Sequence, residues 1–222
     1  MQAQTQTRAQ GAVSPVVANQ PMLFGHIELK GASVPYRRNE EIFGEGEPAE
    51  YVYKVLSGSV RSYKLLTDGR RQINGFYLPD DIFGLELSSD HSSSAEAVTD
   101  CAILVVKRNT LLKGAERDNE IAWSLLSLTA SDLKRSRSHG LLLIKSAQER
   151  IAAFLLEMAE RLAGNGAVEL PMSRQDIADY LGLTIETVSR TLTQLADSSM
   201  IQLMASRQIV LRNRSALSAL NS

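Results

Sequence analysis

The chain is short of cysteine, of histidine clusters, of long apolar runs and of charge of one sign, and each shortage removes a class of function. A single cysteine, Cys101, among 222 residues leaves no internal disulfide and no multi-cysteine zinc or iron–sulfur site, because those need several thiolates from one chain. Its setting, Thr99-Asp-Cys-Ala-Ile-Leu-Val-Val106, reads as a buried strand holding an inert thiol. No apolar run approaches the roughly 18 residues of a membrane span, and the Gln/Thr/Ala-rich start lacks the apolar stretch of a secretory signal. A cytoplasmic protein with no membrane partner is expected. No His-x-His cluster, nucleophile elbow or phosphate loop appears, so the chain is not expected to be an enzyme. The 24 Lys and Arg against 25 Asp and Glu give a net charge of −1, so any attraction to nucleic acid has to be local.

What is present stands out near the C-terminus. Gln175-Asp-Ile-Ala-Asp-Tyr-Leu-Gly-Leu-Thr-Ile-Glu-Thr-Val-Ser-Arg-Thr-Leu-Thr-Gln-Leu195 reads as two short helices joined by a Gly-centred turn, the pattern that sets a second helix in a DNA major groove. Ser173 caps the first helix with Asp176 three residues on, and Ile177, Ala178 and Leu181 share one face. Gly182 ends it, Leu183 plugs the turn and Thr184 caps the second helix, whose inward positions are Val188, Leu192 and Leu195. Ile185, Glu186, Ser189, Arg190 and Thr193 then face outward. Arg190 can fork two hydrogen bonds onto guanine O6 and N7, Glu186 can accept from cytosine N4, and Ile185 and Ser189 suit thymine methyls and close approach. A plain amphipathic helix with a solvated Glu186/Arg190 pair, worth about 0.3 kcal/mol, would leave the caps and the tight turn as coincidences.

Two strand-like runs follow, Met200-Ile-Gln-Leu-Met and Gln208-Ile-Val-Leu-Arg, separated by Ala205-Ser-Arg207. Together these elements predict a winged helix-turn-helix whose hairpin tip brings Arg207 to phosphate, with Arg212 and Arg214 nearby. Beyond Arg190 those three arginines stand against one acid, Asp197. Phosphate binding by one subunit would be modest and steeply salt-dependent, which favours a dimer engaging double-stranded DNA.

Upstream, residues 1–21 are Gln/Thr/Ala/Pro-rich and read as a disordered tail. Residues 22–118 carry short alternating runs, among them Glu41-Ile-Phe, Tyr51-Val-Tyr-Lys-Val-Leu, Ser59 to Leu66, Gln72 to Leu78 and Ala102-Ile-Leu-Val-Val. Such spacing predicts an antiparallel sandwich or roll, with Asp68-Gly69 as its clearest hairpin turn. Residues 119–145, proline-free, predict one long helix in which Ile121, Leu125 and Leu128, with Leu126 and Leu133 on an adjoining stripe, bury a seam against a symmetry mate. Packing of that helix wholly within one chain is the other arrangement the pattern allows. Gly140 suggests a hinge. In residues 146–222 a further helix starts at Ala147, with Ile151, Phe154, Leu155, Met158 and Leu162 inward, and Gly164-Asn-Gly166 closes it.

Ile42-Phe-Gly-Glu-Gly-Glu-Pro-Ala49, Tyr53-Lys-Val-Leu-Ser-Gly-Ser-Val-Arg61, Asp68-Gly-Arg-Arg-Gln-Ile73 and Leu78-Pro-Asp-Asp-Ile-Phe-Gly84, together with Glu186-Thr-Val-Ser-Arg190, resemble the CRP/FNR regulators, and among them most the rhizobial FixK branch. The resemblance runs from about residue 25 to the end. It implies an α+β protein: an N-terminal antiparallel β-roll of cyclic-nucleotide-binding jelly-roll type, a long dimerisation helix and a C-terminal winged helix-turn-helix. It also implies a homodimeric transcription activator that works with RNA polymerase at palindromic promoter sites of microaerobic, anaerobic-respiration and nitrogen-fixation genes.

Departures from the family pattern are informative. Cyclic-AMP binders carry an Arg-Ser or Arg-Thr pair after the Gly-Glu-Leu stretch, to fork onto the cyclic phosphate. Here Gly84-Leu-Glu-Leu leads to Ser92-Ser-Ser-Ala-Glu-Ala97, which has no arginine, and Glu96 would repel a phosphate. The cysteine set of an oxygen-labile cluster is missing from the N-terminus, and His26, His91 and His139 offer no pair of haem ligands. No cofactor and no metal are therefore expected, although an effector-gated sensor that binds DNA only with a small ligand in the roll is the alternative. Ile185 stands where CRP proper has arginine, which implies a TTGA-type half-site read by Ile185, Glu186, Ser189 and Arg190. Ser173, Arg174, Gln175, Thr184 and Thr187 fall where the family touches phosphate. Asp80 replaces a usual glycine and leaves the turn there open.

Overall fold

The computed structural model describes residues 16–24, 27–162 and 167–220, with side chains from residue 31 onward. Most of the expected N-terminal tail, His26 and the Gly164-Asn-Gly166 helix stop lie outside the described residues. The exception is residues 16–21, which belong to a strand, β1 (Val16–Phe24), hydrogen-bonded antiparallel to β2 (Ile27–Tyr36). The roll thus begins earlier than the polar composition suggested, because ladder hydrogen bonds to β2 recruit a segment with no apolar period of its own.

Nine strands among the described residues of the N-terminal half form two antiparallel sheets. In chain order after β2 come β3 (Glu41–Phe43), β4 (Tyr51–Ser57), β5 (Val60–Leu65), β6 (Arg71–Tyr77), β7 (Ile82–Phe83), β8 (Ser94–Ala97) and β9 (Cys101–Lys107). One sheet runs β1-β2-β9-β4-β7, the other β3-β8-β5-β6. Period-two alternation sends Phe43, Tyr53, Val55, Val60, Phe83 and Ile103 into the space between them, with Cys101 buried among them. Burial pushes the Cys101 thiol up to about 11, so it stays protonated and inert. The Asp68-Gly69 turn joins β5 to β6 as expected, Gly69 taking φ +83° and Asp68 accepting from the Arg70 N–H at 3.0 Å. Asp80 takes the left-handed conformation that glycine would supply, at φ 75°, with Lys54 paired to it at 2.8 Å. The turn is therefore kept without glycine.

Helix α1 (Arg108–Ala115) and the long helix α2 (Asn119–Leu142) cover the first sheet. Asp118 caps α2 by accepting from the Glu120 N–H, and the helix runs unbroken through Gly140. Beyond it lie α3 (Ala147–Arg161), β10 (Ala167–Glu169), α4 (Arg174–Leu181), α5 (Ile185–Asp197), β11 (Ile201–Leu203), β12 (Gln208–Leu211) and α6 (Arg214–Leu220). Ile151, Phe154, Leu155 and Met158 of α3 are buried as their spacing predicted. The wing is a three-stranded sheet, β10-β12-β11, rather than a bare hairpin. The core of this C-terminal half continues into the roll, since Ile73 and Phe76 of β6 are buried with Phe154 and Tyr180.

On α2 the residues expected at the dimer seam meet this chain's own roll. Ile121, only 4% exposed, is buried with Val52, Leu104, Val106 and Leu111 of the same chain, and Leu125 and Leu128 pack on that cluster. These three residues fix the helix to its own roll. The adjoining stripe is the open one: Trp123, Leu126 and Leu133 are 67%, 57% and 50% exposed.

Candidate nucleic-acid interface

The reader is assembled by local chemistry. Ser173 accepts from the Asp176 N–H at 3.1 Å while Asp176 accepts from the Ser173 N–H at 3.0 Å, a closed capping box at the start of α4. Gly182 ends the helix in the left-handed conformation, φ 62°. Thr184 caps α5 by accepting from the Thr187 N–H at 3.2 Å. Val188, Leu192 and Leu195 are buried and Leu183 packs beside them, so α5 can present only its other face. A Cβ at Gly182 would meet its neighbours at ordinary contact distance, 3.6 Å from Arg150 and Leu143, so backbone strain alone sets the effect of Gly182→Ala. Thermal melts of that variant are expected to show a loss of about 1–2 kcal/mol; an unchanged melt would mean the turn does not need the left-handed residue.

The outward face of α5 holds Ile185, Glu186 and Arg190, all exposed, and the half-buried Ser189. The Glu186 backbone N–H and the Thr184 hydroxyl hold the Glu186 carboxyl below the usual carboxylate range, so it is an ionised acceptor at the positive end of the helix. Glu186 and Arg190 form no ion pair with each other among the described residues, so neither is tied up by the other. Arg174 Nη1 donates to Ser189 Oγ at 3.1 Å, joining a residue expected at phosphate to one expected at a base. The phosphate candidates gather at the two helix starts: Ser173, Arg174 and Gln175 at α4, Thr184 and Thr187 at α5. N–H groups unpaired within each helix also point out there. Gln175 is exposed, its amide donating to Asp179 at 2.7 Å.

Arg207 departs from its expected place. Its Nη1 donates to the Pro171 carbonyl at 2.9 Å, so the guanidinium lies back against the segment before α4, and the exposed wing tip is Met204, Ala205 and Ser206. Arg212 reaches across the wing to Gln202. Spacing along the chain does not reveal which carbonyl lies within reach of a loop arginine.

Glu96 is also corrected. It accepts from Arg61 Nη2 at 2.7 Å and does not face the cavity between the roll and α2. That cavity, about 210 Å³, is lined by Phe43, Ser62, Tyr77, Glu86 and Asp132 among others, and its charged lining residues are both acids. His91 is buried and stacked on Phe43 at 3.6 Å between ring centres, and His139 stacks on Tyr180 at 4.1 Å. Both are packed rings, and no group of three potential metal ligands occurs among the described residues.

Sequence reasoning missed a charged cluster where the roll meets α4. Asp176 Oδ1 accepts from Arg61 Nη1 at 2.9 Å and from Arg71 Nη2 at 2.7 Å, and Asp179 accepts from Arg71 Nε at 2.8 Å. Burial pushes the Asp176 carboxyl up, but hydrogen bonds from Ser173 and the two guanidinium charges outweigh it and leave it below its ordinary value. In the sequence Asp176 is legible only as a cap.

The geometry can be set beside known proteins. A Crp-like helix-turn-helix domain model matches residues 149–220 and a cyclic nucleotide-binding domain model matches residues 33–118. The nitrogen fixation regulation protein FixK of Azorhizobium caulinodans is 50% identical over 198 residues, 86% of this chain and 80% of that protein. Its namesake in Rhizobium meliloti is 44% identical over 83% of this chain and 85% of its own length. The solved structure of FixK2 from Bradyrhizobium japonicum aligns with a TM-score of 0.84 at 53% identity, covering 86% of this chain and 98% of that one. No described helix is long and apolar enough to cross a membrane.

Proposed function

The chain belongs to the CRP/FNR family of transcription regulators and is FixK-like within it, and from that premise we propose that it activates nitrogen-fixation and microaerobic or anaerobic respiration genes by binding TTGA-type inverted repeats as a cofactor-free homodimer. The observation that carries the reading is the solvent-facing set Ile185, Glu186, Ser189 and Arg190 on a helix whose other face is buried. An arginine fork and an ionised carboxylate one turn apart suit a G·C pair read from both strands, and Ile185 suits a neighbouring thymine methyl. Two helix starts supply phosphate contacts that set orientation without reading sequence.

Dimer formation is supported by the open stripe of α2. Trp123, Leu126, Ala130, Leu133, Arg137 and Gly140 alternate by three and four residues, the spacing of a two-helix seam. Cofactor-free binding is supported by the lining of the cavity between the roll and α2, about 210 Å³, whose charged residues are both acids. Glu86 and Asp132 would repel a cyclic phosphate. As an activator the dimer would contact RNA polymerase from the promoter.

The test is fluorescence anisotropy of ligand-free protein against a TTGA palindrome, a TGTGA palindrome and a scrambled duplex at fixed physiological salt. The expected result is TTGA-selective binding, tighter by at least about 10³ than to the scrambled duplex. Selectivity that emerges only after a small molecule is added would replace this reading with an effector-gated sensor.

A further inference from the structure

The apolar join between roll and reader domain, Ile73 and Phe76 against Phe154 and Tyr180, is large but non-directional, and such surfaces can slide. The charged cluster beside it is directional. Arg61 is 6% exposed and projects from the middle of a sheet, where Glu96 of β8 and Asn39 hold its other Nη. Arg71 opens β6 and forks onto two carboxylates one turn apart on α4. Asp176 is 4% exposed and saturated: Oδ2 closes the capping box while Oδ1 takes both guanidinium groups. One carboxylate thus couples the start of α4 to two strands of the roll, and only the Gly182 turn separates α4 from the reader helix.

We propose that Arg61, Arg71, Asp176 and Asp179 form a positioning clamp, which fixes the reader helix relative to the roll and so sets the half-site spacing that a dimer accepts. The proposal rests on the functional reading above. Planar guanidinium–carboxylate pairs fix angle as well as distance. A stability role alone does not explain the cluster, since the Arg61 Nε is buried with no partner among the described residues, and buried ion pairs are seldom more stable than apolar packing. Because the roll carries α2, which bears the dimer seam, each reader's placement relative to the two-fold axis passes through this clamp. Adding one base pair between half-sites moves them apart by about 3.4 Å and turns them by about 35°, a change that a rigid clamp rejects and a loose one tolerates.

The experiment measures anisotropy of the full chain and of Arg71→Met on TTGA palindromes whose spacing is lengthened or shortened by one or two base pairs, and on a single half-site. Arg71 is partly exposed, so folding is expected to survive, and a thermal melt checks it; Asp179→Asn, at the outer end of the cluster, serves if it does not. The wild-type protein is expected to lose about tenfold or more per base pair of misspacing, and the variant about threefold or less, with single half-site affinity unchanged within about twofold. Arg71→Lys, which keeps the charge but not the fork, should fall between them. A variant profile parallel to the wild-type profile, whether shifted up, down or not at all, overturns the clamp. If the wild-type protein ignores TTGA altogether, the functional reading fails and the clamp's role fails with it; the two failures are told apart in the wild-type titration.

Discussion

Glutamate at both Leu126 and Leu133 is expected to give a monomer in sedimentation velocity and to lower affinity for a two-half-site duplex by about 10²–10⁴-fold, about 3–6 kcal/mol. The size follows from linkage. With one reader docked, the second binds at the effective concentration set by the dimer, and that gain disappears when the protomers separate. Neither leucine belongs to the clusters that hold α2 to its own roll, so the thermal melt of the protomer should move little. A glutamate at each site would place like charges across a two-fold seam, where a symmetric partner cannot supply compensating cations at the same positions. Trp123 is the chain's single tryptophan and lies on the same stripe, so its emission reports the change directly: burial in the wild-type dimer, exposure in the variant. The opposite pattern belongs to Ile121→Ala, which should lower stability and leave the dimer intact. A double-glutamate variant that still sediments as a dimer would move the interface off this helix face.

How far the sequence carried this picture depended on the range of the interactions. The reader was legible because its signals are local: Ser173 and Asp176 three residues apart, a glycine at the left-handed stop, and Val188, Leu192 and Leu195 at helical spacing. Strands β3, β4, β5, β6 and β9 were legible through alternation. β7 has two residues, and β8 is Ser-Ala-Glu-Ala; neither carries enough apolar surface to signal a strand. On α2 the sequence offered two apolar stripes, and hydrophobicity cannot say which one faces the chain's own roll and which is left for a partner. Arg207 and Glu96 were placed by residue type, whereas a carbonyl at Pro171 and a guanidinium at Arg61 decide where they sit. The clamp joins residues 115 and 105 positions apart, and no spacing rule reaches that far in one sequence. Asp80 taught the converse: the family's glycine position was recognised, and the aspartate there keeps the turn at the cost of a left-handed residue.

Arg190→Ala tests the base-reading assignment most sharply. Loss of a bidentate guanine contact is expected to cost about 1–3 kcal/mol on the matched TTGA site, roughly 5- to 150-fold, and to shrink the penalty for replacing that guanine. The second outcome matters more than the first, because any damaged reader binds more weakly but only a lost base contact narrows the discrimination at one position. Arg190 is exposed and carries no ion pair among the described residues, so its removal leaves no buried group unpaired and the fold should be untouched. Glu186 then remains to accept from cytosine N4, which keeps some preference for the pair and predicts that Glu186→Ala on the Arg190→Ala background removes what is left. Arg207→Ala is the contrast. Its guanidinium holds the Pro171 carbonyl ahead of α4, so its loss should loosen the helix start and weaken all sequences alike. Titrating both single variants against the matched duplex and the three base substitutions at the guanine, at two salt concentrations, separates the roles; an equal loss on all four duplexes for Arg190→Ala would take that residue out of base readout and leave it as a phosphate contact.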